Sequence, residues 1–163
     1  MGCGKSSVGK SLAYRLGCSF VDLDDYIQEK EGTDIPSIFR EKGENHFRNL
    51  ELEYLQEILE DNENGTLVLA LGGGTVTVPE AAALVRNNTD CWYLRASVST
   101  LTSHVGNGSG RPLLAGQEDL ASRISGLLEK RAAIYEATAH HIIDTDGMAV
   151  KEVSTIIYDR TLH

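Results

Sequence analysis

The chain opens MGCGKSSVGKSL over residues 1–12, and the reading of this stretch decides the fold. Gly4, Lys5 and Ser6 supply the second half of the phosphate-loop pattern GxxxxGK[ST], with Gly2 also in the loop, while the pattern's first glycine would precede Met1. The chemistry is legible in the residue types. Glycines let successive backbone N–H groups curl around phosphate oxygens. The N-terminus of the following helix adds partial positive charge. Lys5 is placed to reach the β- and γ-phosphates and the Ser6 hydroxyl to ligate Mg²⁺. The competing reading is a glycine-rich tail ahead of an ordinary helix. Such loops hang between a strand and a helix; the helix follows, from Lys5 to Leu16 with Gly17 as its stop, but no strand comes before it.

Outward from the loop, strands and helices alternate. Residues 19–24 (SFVDLD), 66–70 (TLVLA), 91–94 (CWYL) and 140–144 (HHIID) read as strands. Helices are expected over 24–32, 35–43 with Pro36 in the first turn, 44–62, 79–86, 97–105, 118–138 and 150–158. Residues 106–116 (GNGSGRPLLAG) read as a glycine-rich loop. Strands separated by helices imply an α/β fold, a parallel sheet covered by helices on both faces. Ligands of such folds sit beyond the C-terminal ends of the strands, where each candidate motif falls.

The 163 residues suit a single domain with its own core, and the 41% apolar and 24% charged residues are an ordinary globular balance. A net charge of −9 argues against nucleic acid as a partner, because phosphate backbones call for clustered basic residues. It leaves room for small anions held by a few converging cations. No apolar run approaches the ~18 residues a membrane helix needs. Cys3, Cys18 and Cys91 form no CxxC pair, so a reducing, cytoplasmic setting is expected.

Asp22 and Asp24 are two apart and, on a strand, would point to one side. One could hold Mg²⁺ through water while the other accepts the proton of a substrate hydroxyl; capping of the next helix by Asp24 or Asp25 is the plainer alternative. Arg48 and Glu51 share a helix face at i, i+3, so Glu51 could orient Arg48, although a surface pair with Glu44 would serve as well. Gly72, Gly73 and Gly74 follow a strand directly, as a turn or as a place where backbone approaches a ligand. Arg111 lies in the 106–116 loop and reads as a solvated arginine or as part of a lid that brings charge to a transferring phosphoryl group; Arg131, on a long helix, reads as an exposed arginine. Phe39 and Phe47 read as core, and His140 and His141 as structural.

The ordered series GCGKSS, DLDD, GENHFRNLE, LGGGTV, RPLL and KRAAIYE, spread over the whole chain, resembles shikimate kinase. The resemblance implies a three-layer P-loop kinase fold and ATP- and Mg²⁺-dependent phosphorylation of the 3-hydroxyl of shikimate, on the route to chorismate and aromatic amino acids; a monomer is expected. It implies that Gly2, Cys3, Gly4, Lys5, Ser6 and Ser7 cradle the ATP phosphates, with Ser6 and Asp22 serving Mg²⁺. Asp24 would act as base on the shikimate hydroxyl. Arg48 and Arg131 would grip its carboxylate, Gly72, Gly73 and Gly74 would line its ring, and Arg111 would be the lid arginine at ATP. Residues 31–62 would form the substrate-binding helices and 106–116 the lid. His104 stands where related enzymes often carry an arginine against adenine, and Ala133 replaces a frequent proline. The family also begins with a strand running into the phosphate loop. The first, central strand is therefore expected to be missing here, its place lying between 66–70 and 91–94 and its sequence upstream of Met1. Two rivals remain at this stage: another small-molecule kinase of the same fold, such as a gluconate kinase, and a catalytically impaired kinase-like binding protein.

Overall fold

The computed structural model describes residues 4–105 and 120–163, with the backbone alone at residues 104 and 105. Gly2, Cys3, Arg111 and the 106–116 segment therefore lie outside the described residues, as does the His104 side chain. Four strands are found: β1 (Ser19–Asp22), β2 (Leu67–Ala70), β3 (Trp92–Arg95) and β4 (His141–Asp144). The helices are α1 (Lys5–Leu16), α2 (Leu23–Glu31), α3 (Ile35–Lys42), α4 (Glu44–Asp61), α5 (Pro79–Asn88), α6 (Val98–Val105), α7 (Leu120–Thr138) and α8 (Val150–Thr161). A short 3-10 turn at Thr75–Thr77, which periodicity did not signal, follows the triple glycine.

All pairing is parallel, as the alternation of elements predicts. β1 pairs with β2 in the register Ser19↔Leu67 to Asp22↔Ala70, and β3 with β4 from Trp92↔His141 to Arg95↔Asp144. Among the described residues β2 and β3 are not bonded to each other, so the sheet stands as two two-stranded halves. The position expected for a central strand, between 67–70 and 92–95, holds no strand of the described chain.

The halves are joined through their faces. Side chains alternate along β2 and β3, the period-two rule of strands. Val68, Trp92 and Leu94 pack with Val8 and Leu12 of α1, Ile143 of β4, and Val153 and Ile157 of α8. Leu69 points to the opposite layer, among Leu55 of α4, Val76, Val85 of α5, and Ile134 of α7. Tyr93 also meets that layer, its ring centroid 5.1 Å from that of Tyr135. Helices α1 and α8 thus cover one face and α4, α5 and α7 the other.

Local signals set the helix ends. Gly4 (φ 78°) opens α1 and Gly17 (φ 67°) closes it, both in the left-handed region that glycine adopts without penalty. The Asp34 carboxylate caps α3, with Pro36 in its first turn. One expectation needs correction. The strand read as 19–24 ends at Asp22, whose Oδ1 accepts the backbone N–H of Asp24 at 2.9 Å and of Asp25 at 3.3 Å and so starts α2. Asp22 is the cap, rather than Asp24 or Asp25, and Asp24 lies in the first helical turn instead of on the strand.

α2 and α4 are tied together along their length. The Tyr26 hydroxyl donates to Glu57 at 2.7 Å, and Lys30 reaches the same carboxylate at 2.9 Å. The Tyr54 hydroxyl donates to Glu31 at 2.6 Å; that carboxylate, before burial, is what pushes the Tyr54 phenol up to about 12. These ties fix the helix carrying Asp24 against the helix carrying Arg48.

Candidate active site

The site is assembled from three chain segments. The first is the start of α1. The Ser6 hydroxyl donates to Asp22 Oδ2 at 2.5 Å, so the phosphate loop and the end of β1 meet through oxygen atoms. Asp22 uses its two oxygens differently: Oδ1 holds the start of α2 and Oδ2 faces Ser6. Two hard oxygen donors from a hydroxyl and a carboxylate fit Mg²⁺, which takes few protein ligands and completes its shell with water and phosphate. In keeping with that habit, the described residues contain no group of three or more His, Cys, Asp or Glu side chains able to cage a metal. Lys5 is half-buried at the first helical position and has no ion-pair partner among the described residues.

The second segment is the glycine loop after β2. A methyl group placed on Gly72 would stand 2.9 Å from Asp24 Oδ1, 3.2 Å from Glu51 Oε2 and 3.3 Å from the Thr75 hydroxyl. A methyl on Gly74 would overlap the Arg48 guanidinium. Gly72 and Gly74 are therefore needed for close approach, and Gly74 itself has an ordinary φ of −102°. Gly74→Ala is expected to displace Arg48 and raise the KM for the anionic substrate that Arg48 would hold roughly 10-fold, within the usual cost of overpacking a tight site. The KM for ATP should stay within about two-fold by the same locality. Steady-state kinetics varying each substrate in turn checks this.

The third segment is α4. Arg48, whose side chain is 12% exposed, bonds Glu51 and lies 3.4 Å from Glu44. Both expected partners are thus used, but they differ in kind: Glu51 is buried, Glu44 exposed. Burial pushes the Glu51 carboxyl up, against the opposing pull of Arg48 and of the hydroxyl bond from Thr75, with nearby Asp24 adding a smaller upward push.

Asp24 stands beside Gly72 and Arg48 beside Gly74, and Ser6 meets Asp22. Arg131 is half-buried on α7 and also lacks an ion-pair partner among the described residues. Phe47 is core, 4% exposed, with the Phe39 ring packed 4.9 Å away between centroids. His141 stacks on Trp92 and faces Asp90 at 2.9 Å, a structural role. Two residues escaped the sequence reading. Thr75 is fully buried and donates to Glu51. Tyr135 donates to the Gly73 carbonyl at 2.5 Å, tying the glycine loop to the helix that carries Arg131. A tyrosine four residues after an arginine on one helix was the available hint, but its partner lies 62 residues away in sequence.

A helix start carrying Lys5 and Ser6 beside the capping Asp22, with Asp24 and Arg48 at the glycine turn, fits a P-loop kinase of a small anionic alcohol. Comparison with known proteins narrows the class. The family model described as Shikimate kinase matches residues 1–161. A shikimate kinase of Chlorobium limicola is 40% identical, over 96% of this chain and 82% of the relative. One from Francisella tularensis subsp. holarctica is 35% identical, over 99% of this chain and 93% of the relative. The solved structure of a shikimate kinase from Acinetobacter baumannii in complex with shikimate superposes with a TM-score of 0.93 at 33% identity, covering 99% of this chain and 88% of that one. The chain belongs to the shikimate kinase family.

Proposed function

We propose that this protein transfers the γ-phosphoryl group of ATP to the 3-hydroxyl of shikimate, giving shikimate 3-phosphate and ADP. The observation that carries the reading is the convergence of Asp24 and Arg48 on the 72–74 glycine turn, at the start of the helix that Asp22 caps. Shikimate presents a planar carboxylate and ring hydroxyls. Arg48, held by Glu51, offers a forked donor for the carboxylate, and Arg131 a second cation. Asp24 orients the hydroxyl and takes its proton as the new O–P bond forms and the bond to the β-phosphate breaks. Lys5 meets phosphate oxygens at the helix start, and Gly4 begins the cradle. Ser6 and Asp22 would hold Mg²⁺, which when bound neutralises phosphate charge.

The remaining assignments rest on the resemblance: Gly2, Cys3 and Ser7 at the phosphates, and 106–116 as a lid with Arg111 closing on ATP. So does 31–62 as the substrate helices; the single domain rests on chain length, the cytoplasmic setting on the unpaired cysteine spacing, and a monomer is proposed with them.

The test is a coupled ADP-release assay with shikimate against a panel that includes gluconate. Turnover of gluconate in preference to shikimate would favour the other small-molecule kinases of this fold. Within a shikimate-active enzyme, Arg48→Ala or Arg131→Ala is expected to weaken shikimate binding by ~2–5 kcal/mol, the scale for truncating one partner of a buried charge pair. ATP affinity should change far less. Equal losses for both ligands would remove these arginines from the shikimate site.

A further inference from the structure

We infer that Thr75 is a positioning residue for substrate recognition: its hydroxyl holds the buried Glu51 carboxylate in the orientation that aims Arg48. The inference rests on the reading of Arg48 as a shikimate ligand and adds a residue that acts through it. Thr75 has no exposed surface, and Glu51 only 1%. The Thr75 hydroxyl donates to Glu51 Oε2, while Arg48 donates to Oε1, so the two oxygens of one carboxylate are divided between the turn and the arginine. The Thr75 hydroxyl is itself fixed, because the Thr75 backbone N–H bonds the Gly72 carbonyl at 3.3 Å and closes the turn. Glycine loop and arginine are thereby linked through a single buried carboxylate.

The link is strongest with Glu51 charged, since protonation turns one oxygen into a donor and removes the charge that holds Arg48. Burial opposes that charge; Arg48 on the same helix and Thr75 on the turn favour it, and Asp24 on α2 disfavours it. Removing the hydroxyl takes away one of the favourable contributions. The carboxyl of Glu51 then protonates at a higher pH, and Arg48 loses its fixed partner over the acid side of the profile.

The decisive experiment compares Thr75→Val and Thr75→Ser with the unaltered protein. Valine keeps the shape and deletes the donor; serine keeps the donor. Thr75→Val is expected to raise the KM for shikimate about 10-fold, as expected for leaving a buried acceptor unsatisfied. It should leave the KM for ATP within about two-fold. The acid limb of kcat/KM for shikimate should move to higher pH by about one unit. Thr75→Ser should restore both. In a Glu51→Gln background, which has no carboxyl to titrate at that position, Thr75→Val should leave the acid limb where it stands. An unmoved limb and unchanged shikimate KM in folded Thr75→Val would overturn the inference, as would equal KM changes for both substrates that serine fails to restore. If the valine protein does not fold, Thr75→Cys, a weaker donor, should show part of the same shift, and an unmoved profile there also overturns it. Failure of the underlying reading looks different: the unaltered protein would then show no shikimate-dependent ADP release.

Discussion

Asp24→Asn is expected to lower kcat for shikimate by about 10²- to 10⁴-fold, the range for loss of a positioned general base. Asparagine keeps the size and can still touch the hydroxyl, so the KM for shikimate should change much less than kcat. The fold should survive. The backbone N–H of Asp24 bonds Asp22, and it is the Asp22 carboxylate that starts the helix. What the variant gives up in stability is a favourable charge in the first turn of α2, worth ~0.3–1 kcal/mol, partly offset by relief of repulsion with Glu51. Single-turnover phosphorylation at saturating shikimate, with a thermal melt alongside, checks both halves. Near-normal turnover in a folded Asp24→Asn protein would remove Asp24 from the mechanism.

Asp24 also shows how far sequence alone reaches. The pair Asp22 and Asp24 was legible as two carboxylates near one phosphate loop, but their geometry was not. An i, i+2 spacing means one face on a strand and about 200° of rotation on a helix. The chain switches between the two at Asp22, because that carboxylate captures the next two free N–H groups. Signals carried by neighbouring residues survived intact: Gly17 as a helix stop, Pro36 in the first turn of a helix, Arg48 with Glu51 at i, i+3. Signals that depend on distant partners did not. Thr75 reaches back 24 residues to Glu51, and Tyr135 62 residues to Gly73. A threonine or tyrosine in isolation carries no mark of such a partner, so these two members of the site become visible only once α4, α7 and the glycine turn are packed together.

The opening between β2 and β3 supports the second large expectation: supplying a strand there should stabilise the protein and tighten ATP binding together. Leu67, Val68, Leu69, Trp92, Tyr93 and Leu94 are all only half-buried. Strands in the middle of a three-layer α/β fold are normally covered on both faces and paired on both edges. Here the faces are covered, by α1 and α8 on one side and α4, α5 and α7 on the other, but β2 and β3 each have a single partner among the described residues. Helix α1 begins at Lys5 and packs against both halves. The expected experiment fuses a β-branched segment of about six residues, followed by a glycine-containing link, ahead of Met1. Hydrogen bonds at ~1 kcal/mol net each, made on two edges, should raise the melting temperature by about 10 °C or more for a domain of this size. The KM for ATP should fall, because the added strand would steady the start of α1, which carries Lys5 and Ser6. A matched segment carrying proline in its middle, which cannot complete either ladder, should do neither. If the two fusions melt alike and bind ATP alike, the opening is not a strand site, and the half-exposed edges of β2 and β3 do not limit the stability of this fold.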